Sequence, residues 1–234
     1  MDTTLGRATA HLAEPDDRRG AGDLIALINR NINPPAPVTA DAAVIRAMYV
    51  VSDEINSFGG CFPSDEHAGL CRLLVDSPVM VGHRRDRLPI ARNFHAEEVV
   101  RDGRPWVKCW FYWLRAADGA ETLRENIDGG IYRECSISFT FLFPECSICG
   151  KDIRACTHQP FARYADGDGE AVCHFRYRGI ERVLETSLVY RGALPGTRLT
   201  KDLRDRHPVR IPDETLIEAP TELPAAERYL VAPA

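Results

Sequence analysis

The sequence predicts an α+β fold: a mostly antiparallel β-barrel with a few surrounding helices. Three observations predict it. A chain of 234 residues, 44 % hydrophobic and 27 % charged, suits one sizeable core with arms rather than two full domains. Runs rich in β-branched and aromatic residues, punctuated by glycine turns, dominate residues 41–202. Few stretches carry helical spacing, and many strands in one small domain favour a closed or nearly closed barrel. The same composition excludes wholesale disorder and a coiled-coil or collagen rod. A net charge of −5 with both signs interspersed argues against a dedicated nucleic-acid partner.

Residues 1–40 read as an arm and linker. A short helix is expected from Asp23, with Leu24, Ile25, Leu27 and Ile28 at helical spacing, ending before the stiff Asn33-Pro34-Pro35-Ala36-Pro37. Residues 43–51 are a strand, followed by a turn at 56–60 punctuated by Gly59-Gly60. Ser64 is a candidate N-cap for a helix over 64–76, with Asp65 and Glu66 in its first turn and Leu70, Leu73 and Leu74 on one face. A short strand at 79–81 precedes a hairpin, 90–101 and 104–115, turned at Asp102-Gly103. Its second strand is bulky on both faces over 106–114, which predicts a passage through the core. A helix over 120–128 stops at Gly129-Gly130. Strands are expected at 131–143, 171–178 and 182–191. Residues 203–234 carry five prolines with weak periodicity and read as a tail.

The N-terminus has no apolar signal core, and no apolar run is long enough to span a bilayer, so a cytosolic location with reduced thiols is the default. Eight cysteines then point to metal binding or buried small hydrophobes. Cys146-Ser147-Ile148-Cys149-Gly150 followed by Cys156-Thr157-His158 places four N/S donors in 13 residues. A C-x2-C-Gly step aims two thiolates at one ion, and four donors complete a tetrahedral zinc site with no position open for water. The expectation is a structural zinc knuckle inserted over 144–160 and held by Cys146, Cys149, Cys156 and His158, with Cys173 or His174 as substitutes for the last ligand. Cys61, Cys71, Cys109 and Cys135 are expected as buried thiols.

On the strand around 132–139, Ser136 and Ser138 alternate to one face, while Cys135, Ile137 and Phe139 take the other. This alternation argues against Cys135 as a nucleophile that shares the serines' face. His83 ends a short strand, and Glu185 sits among apolar residues and needs a partner. The run Arg84-Arg85-Asp86-Arg87 reads as a solvated loop.

Taken in order, these segments resemble a known family. Gly82-His83 followed by Leu88-Pro89-Ile90-Ala91-Arg92 resembles the H…PIGR segment of tailed-phage prohead proteases. Ser136-Ile137-Ser138-Phe139, after Ile127-Asp128-Gly129-Gly130, looks like that family's DGG…SIGF nucleophile strand. Glu185-Thr186-Ser187-Leu188-Val189 looks like its EVSLV strand. The resemblance covers about residues 43–200. These proteases are similar in fold to herpesvirus assemblin and cut scaffold and capsid proteins during capsid maturation. The resemblance therefore implies a serine endopeptidase with Ser136 as nucleophile, His83 as general base and Glu185 as the carboxylate that fixes the imidazole tautomer. Ser138 stands where the family has glycine; only the motif register prefers Ser136. The implied partners are capsid and scaffold proteins within an assembling procapsid in the host cytoplasm, with no nucleic acid or membrane; self-processing and homo-oligomerisation stay open. The other reading is a non-catalytic zinc-knuckle assembly or scaffold factor built on the same fold.

Overall fold

The computed structural model describes residues 4–13, 21–167 and 169–190. Among them are three helices, α1 (Ala21–Asn31), α2 (Ser64–Leu74) and α3 (Ala120–Asp128). The strands are β1 (Thr4–Ala13), β2 (Ala43–Ser52), β3 (Gly60–Cys61), β4 (Pro78–Val81), β5 (Ala91–Arg101), β6 (Arg104–Leu114), β7 (Glu134–Cys146), β8 (Arg163–Asp166), β9 (Gly169–Val172) and β10 (Phe175–Val189). No helix among the described residues is long and apolar enough to cross a membrane. The expected tail at 203–234 and the last residues assigned to the barrel lie outside the described residues.

Eight strands form one sheet in the order β3-β10-β4-β5-β6-β2-β1-β7, with β10 also pairing to β7; β8 and β9 make a separate hairpin. The fold is α+β and the sheet is mostly antiparallel, as the composition and turn pattern predict. The expected β-barrel is not what forms as an antiparallel ring: the sheet is mixed. β3 and β4 run parallel to β10, and β4 pairs with β10 over three positions and with β5 over two. β1 meets β2 at three positions only. The long ladders are β2–β6, β5–β6, β7–β10 and β1–β7, the first three interrupted by register shifts, and the joins β1–β2, β4–β5 and β4–β10 are short.

Residues 1–40, expected as an arm, contribute two elements to this body. β1 lies between β2 and β7, supplying backbone partners to two edges that would otherwise be bare. α1 begins at Ala21, so Asp23 sits in its first turn rather than at its cap. Ile28 is fully buried against Ala47, Phe94 and Trp110. The Asn29 side chain donates to Val38 O (2.9 Å) and accepts from Val38 N–H (2.7 Å), folding the proline-rich linker back along the helix. That second small core explains why β6 is bulky on both faces. Val107, Cys109, Phe111 and Trp113 face the main core, while Trp110 and Tyr112 face α1.

The main core is rich in rings: Phe62, Phe139, Phe141, Phe175 and Tyr177 make successive contacts with centroids 4.7–5.6 Å apart. The turn at 56–60 closes against it, with Asn56 Oδ1 accepting from Phe58 and Gly60 N–H while its amide donates to Tyr177 Oη (3.1 Å). A Cβ on Gly60 would fall 2.5 Å from that hydroxyl, so glycine is needed there. Ser64 is the first helical residue of α2 and Pro63 occupies the cap, so the expected serine cap does not form. Residues 171–178 and 182–191, expected as separate strands, are largely one. β10 runs through positive-φ Gly179 and absorbs the irregularity as register shifts at Ile180/Arg182 and Val183/Glu185.

Candidate active site and metal centre

β4 ends at Val81 and turns through Gly82 and His83, both at positive φ (62° and 59°). For glycine that is free; for histidine it is strained and needs support from its surroundings. Support comes from β10. Gly82 N–H donates to Leu188 O (2.9 Å), and His83 N–H donates to Ser187 Oγ (3.1 Å). Parallel pairing of β4 with β10 thus brings His83 to Glu185, 102 residues away in the chain, with Nδ1 2.6 Å from Oε1. Glu185 is 2 % exposed. Burial pushes its pKa up, but hydrogen bonds from His83, Ser138 and Ser187 and the field of the ring outweigh this and hold it below its ordinary value.

A carboxylate can only accept, so the shared proton sits on Nδ1 and leaves Nε2 as the basic nitrogen. Ser138 Oγ lies 3.2 Å from the same Nδ1, and its hydroxyl hydrogen-bonds Glu185. Ser187 donates to Oε2 at 2.5 Å. Both serines therefore serve the carboxylate. Ser187 does a second job, because one hydroxyl ties the backbone of His83 to the carboxylate that its ring addresses. Sequence reasoning missed Ser187, although it sits two residues from Glu185 on the same strand face.

β7 positions the serines. Ser138 stands opposite Glu185 and Ser136 opposite Ser187 in the β7–β10 register. Cys135, Ile137 and Phe139 turn into the main core. Ser138 is thus the β7 serine that contacts the ring, and Ser136 is its neighbour two positions along. Ser138 is fully buried, whereas Ser136 is 6 % exposed. Cys135 is buried and desolvation pushes its pKa well up, which keeps it a neutral thiol. Cys61 and Cys71 are pushed up to about 11 by the same cause.

The carboxylate carries a pH signature. A group whose folded pKa is depressed adds stability above its unfolded value, and that stability is lost as pH falls through the folded value. Wild-type protein is therefore expected to lose thermal stability below about pH 4.5 more steeply than Glu185→Gln, compared by circular dichroism melts between pH 3 and 7. Parallel curves would remove Glu185 as a charged partner of His83.

At the far end of β7, the Cys146 backbone donates to Lys151 O (2.8 Å) and accepts from Gly150 N–H (2.9 Å), with Gly150 at φ 69°. This tight knuckle turns Cys149 back toward Cys146. A 3₁₀ turn over Ile153–Ala155, capped by Asp152, delivers Cys156 and then His158. The donor atoms of Cys146, Cys149, Cys156 and His158 all lie within 4.8 Å of one another, so the four could hold a metal ion such as zinc. Zn–S bonds of about 2.3 Å put tetrahedral sulfurs about 3.8 Å apart, a spacing this cluster accommodates. His158 Nδ1 is buried without a hydrogen-bond partner, as a ligand nitrogen should be before its ion is counted. Burial pushes the Cys146 thiol up, but backbone N–H groups of Cys149 and Ile148 and the neighbouring thiols bring it below its ordinary value. Cys173 Sγ stands 4.0 Å from Cys146 Sγ, a fifth donor at the edge of the cluster. His174 instead donates from Nδ1 to Val172 O (3.2 Å).

Comparison with known protein families, with curated proteins and with solved structures finds no match.

Proposed function

We propose that the chain is a serine endopeptidase of the prohead-protease type, cutting capsid and scaffold polypeptides during phage capsid maturation. The observation that carries the reading is the 2.6 Å bond from His83 Nδ1 to buried Glu185 beside the two serines of β7. In this reading Ser136 attacks the scissile carbonyl and its proton passes to His83 Nε2. Glu185 holds the Nδ1 proton and stabilises the imidazolium. Ser138 and Ser187 are positioning residues that keep the carboxylate ionised and aimed. Support for Ser136 as nucleophile comes from its small exposure, since the attacking oxygen must meet substrate, and from Ser138 being committed to Glu185. The cysteine cluster is read as a structural zinc site on the insertion between β7 and β10.

One observation favours a second reading, a non-catalytic assembly factor: Ser138 shares Nδ1 with the carboxylate rather than facing the free nitrogen. Co-expression with the neighbouring capsid gene, followed by mass analysis, separates the two. Discrete truncated capsid or scaffold products are expected. Intact products, with the chain folded and incorporated, would favour the assembly factor.

A further inference from the structure

Beside the His83–Glu185 pair lies an open cleft of about 390 Å³. Its lining includes Met80, Pro89, Leu184 and Glu185. Arg85, Arg87 and Arg92 line it as well. Their charges are not equivalent. Arg92 is spent on Asp76, donating to its carboxylate and its carbonyl at 2.7 Å each. Arg84, next to His83, is paired with Asp86 (2.7 Å). Arg85 and Arg87 make no salt bridge among the described residues. Neither is paired with Glu185, whose oxygens accept from His83, Ser138 and Ser187. The cleft thus presents two guanidinium groups outside any salt bridge among the described residues, with the Asp86 carboxylate in the field of Arg87, in a chain of net charge −5.

We infer that Arg85 and Arg87 form a specificity subsite for an acidic side chain of the substrate polypeptide. This rests on the endopeptidase reading and adds the class of residue recognised. A planar guanidinium pairs a carboxylate through two parallel N–H···O bonds, which neither amide nor alkyl side chains can reproduce. Arg85 follows His83 by two residues, so the recognised Asp or Glu lies within about four positions of the scissile bond in an extended chain. The apolar walls accept the methylene stem of such a residue or its neighbours. They include no aromatic ring on which a nucleic-acid base could stack. An open, solvated cleft also makes the preference sensitive to salt.

Two measurements on the full chain test the inference. Wild-type protein and Arg85→Gln/Arg87→Gln are each given a proteome-derived peptide library, and products are read by mass spectrometry. Separately, Ser136→Ala with and without the paired arginine changes is titrated with a fluorescein-labelled decapeptide of alternating Glu and Ala, and with its Gln counterpart. Wild type should enrich Asp or Glu at one position near the cut, and the labelled Glu peptide should bind about tenfold more tightly than the Gln peptide at low salt. Both preferences should fall to near unity in the arginine variant. Cleavage without acidic enrichment, equal binding of the two peptides, or a preference that survives the arginine changes would overturn the subsite. A wild-type protein that cuts nothing overturns the endopeptidase reading, while the binding measurement still decides the subsite.

Discussion

Alanine at position 136 is expected to lower the rate of capsid-protein cleavage by about 10⁴-fold or more, without unfolding the chain. Ser138→Ala is expected to cost only about 10- to 100-fold. The difference follows from which ring nitrogen each hydroxyl can use. Glu185 holds His83 Nδ1 at 2.6 Å and, as an ionised acceptor, requires the proton to be there. A hydroxyl at Nδ1 therefore has no base to take its proton, and Ser138, 3.2 Å from that nitrogen, is left to donate to the carboxylate. Deleting it loosens the orientation of Glu185 and leaves the basic Nε2 in place. Ser136 lies two residues along the same strand face and is the less buried of the two. Each variant is assayed by co-expression with the capsid gene, and circular dichroism confirms folding. Loss of a buried hydroxyl such as that of Ser138 should cost about 1 kcal/mol of stability. An inactive Ser138→Ala beside an active Ser136→Ala would exchange the two roles and require the ring to work through Nδ1.

The parts of this centre differ in how far local sequence reveals them. The β5–β6 hairpin is legible because Asp102 and Gly103 both take positive φ, and Asp-Gly is the dipeptide that tolerates it. The metal cluster is legible because four donors within 13 residues need only a short turn to converge. The His83–Glu185 pair is different in kind. Neither residue is unusual alone, and what joins them is parallel pairing of Val79, Met80 and Val81 with Thr186, Ser187 and Leu188. No local periodicity encodes that contact, so only a resemblance in motif order pointed to it. β1 escaped notice for a similar reason. Its segment, Thr4–Ala13, is short of bulky β-formers, and its strand state depends on the edges that β2 and β7 offer. The serine cap expected on α2 failed because Pro63, with φ fixed near −65°, already sets the entry to the helix.

Stripping the metal is expected to unravel the insertion between β7 and β10 while largely sparing the His83–Glu185 pair. Few side chains hold that insertion down: Ile153 and Cys173 are buried, but Cys149, Gly150 and Lys151 are exposed and most of β8 and β9 is solvated. Such a segment lacks the apolar area to offset its own ordering entropy. Structural zinc contributes about 10–16 kcal/mol in comparable small sites, enough to decide the matter. Purified protein should carry one equivalent of zinc. Chelation, or Cys146→Ser, should open rapid tryptic cuts at Lys151, Arg154 and Arg163 that the loaded protein resists. Cys146 lies ten residues along β7 from Ser136, about 33 Å at strand rise, so fraying at that end should reduce cleavage by less than about tenfold. Less than a tenth of an equivalent of zinc, with all thiols freely titratable, would end the metal assignment. Cobalt substitution then tests the ligand set. His158→Ala should keep the ion only if Cys173, 4.0 Å from Cys146, moves in as the fourth donor, which would strengthen the thiolate-to-cobalt absorption. Complete loss of cobalt in that variant would fix His158 as the ligand for which the cluster has no substitute.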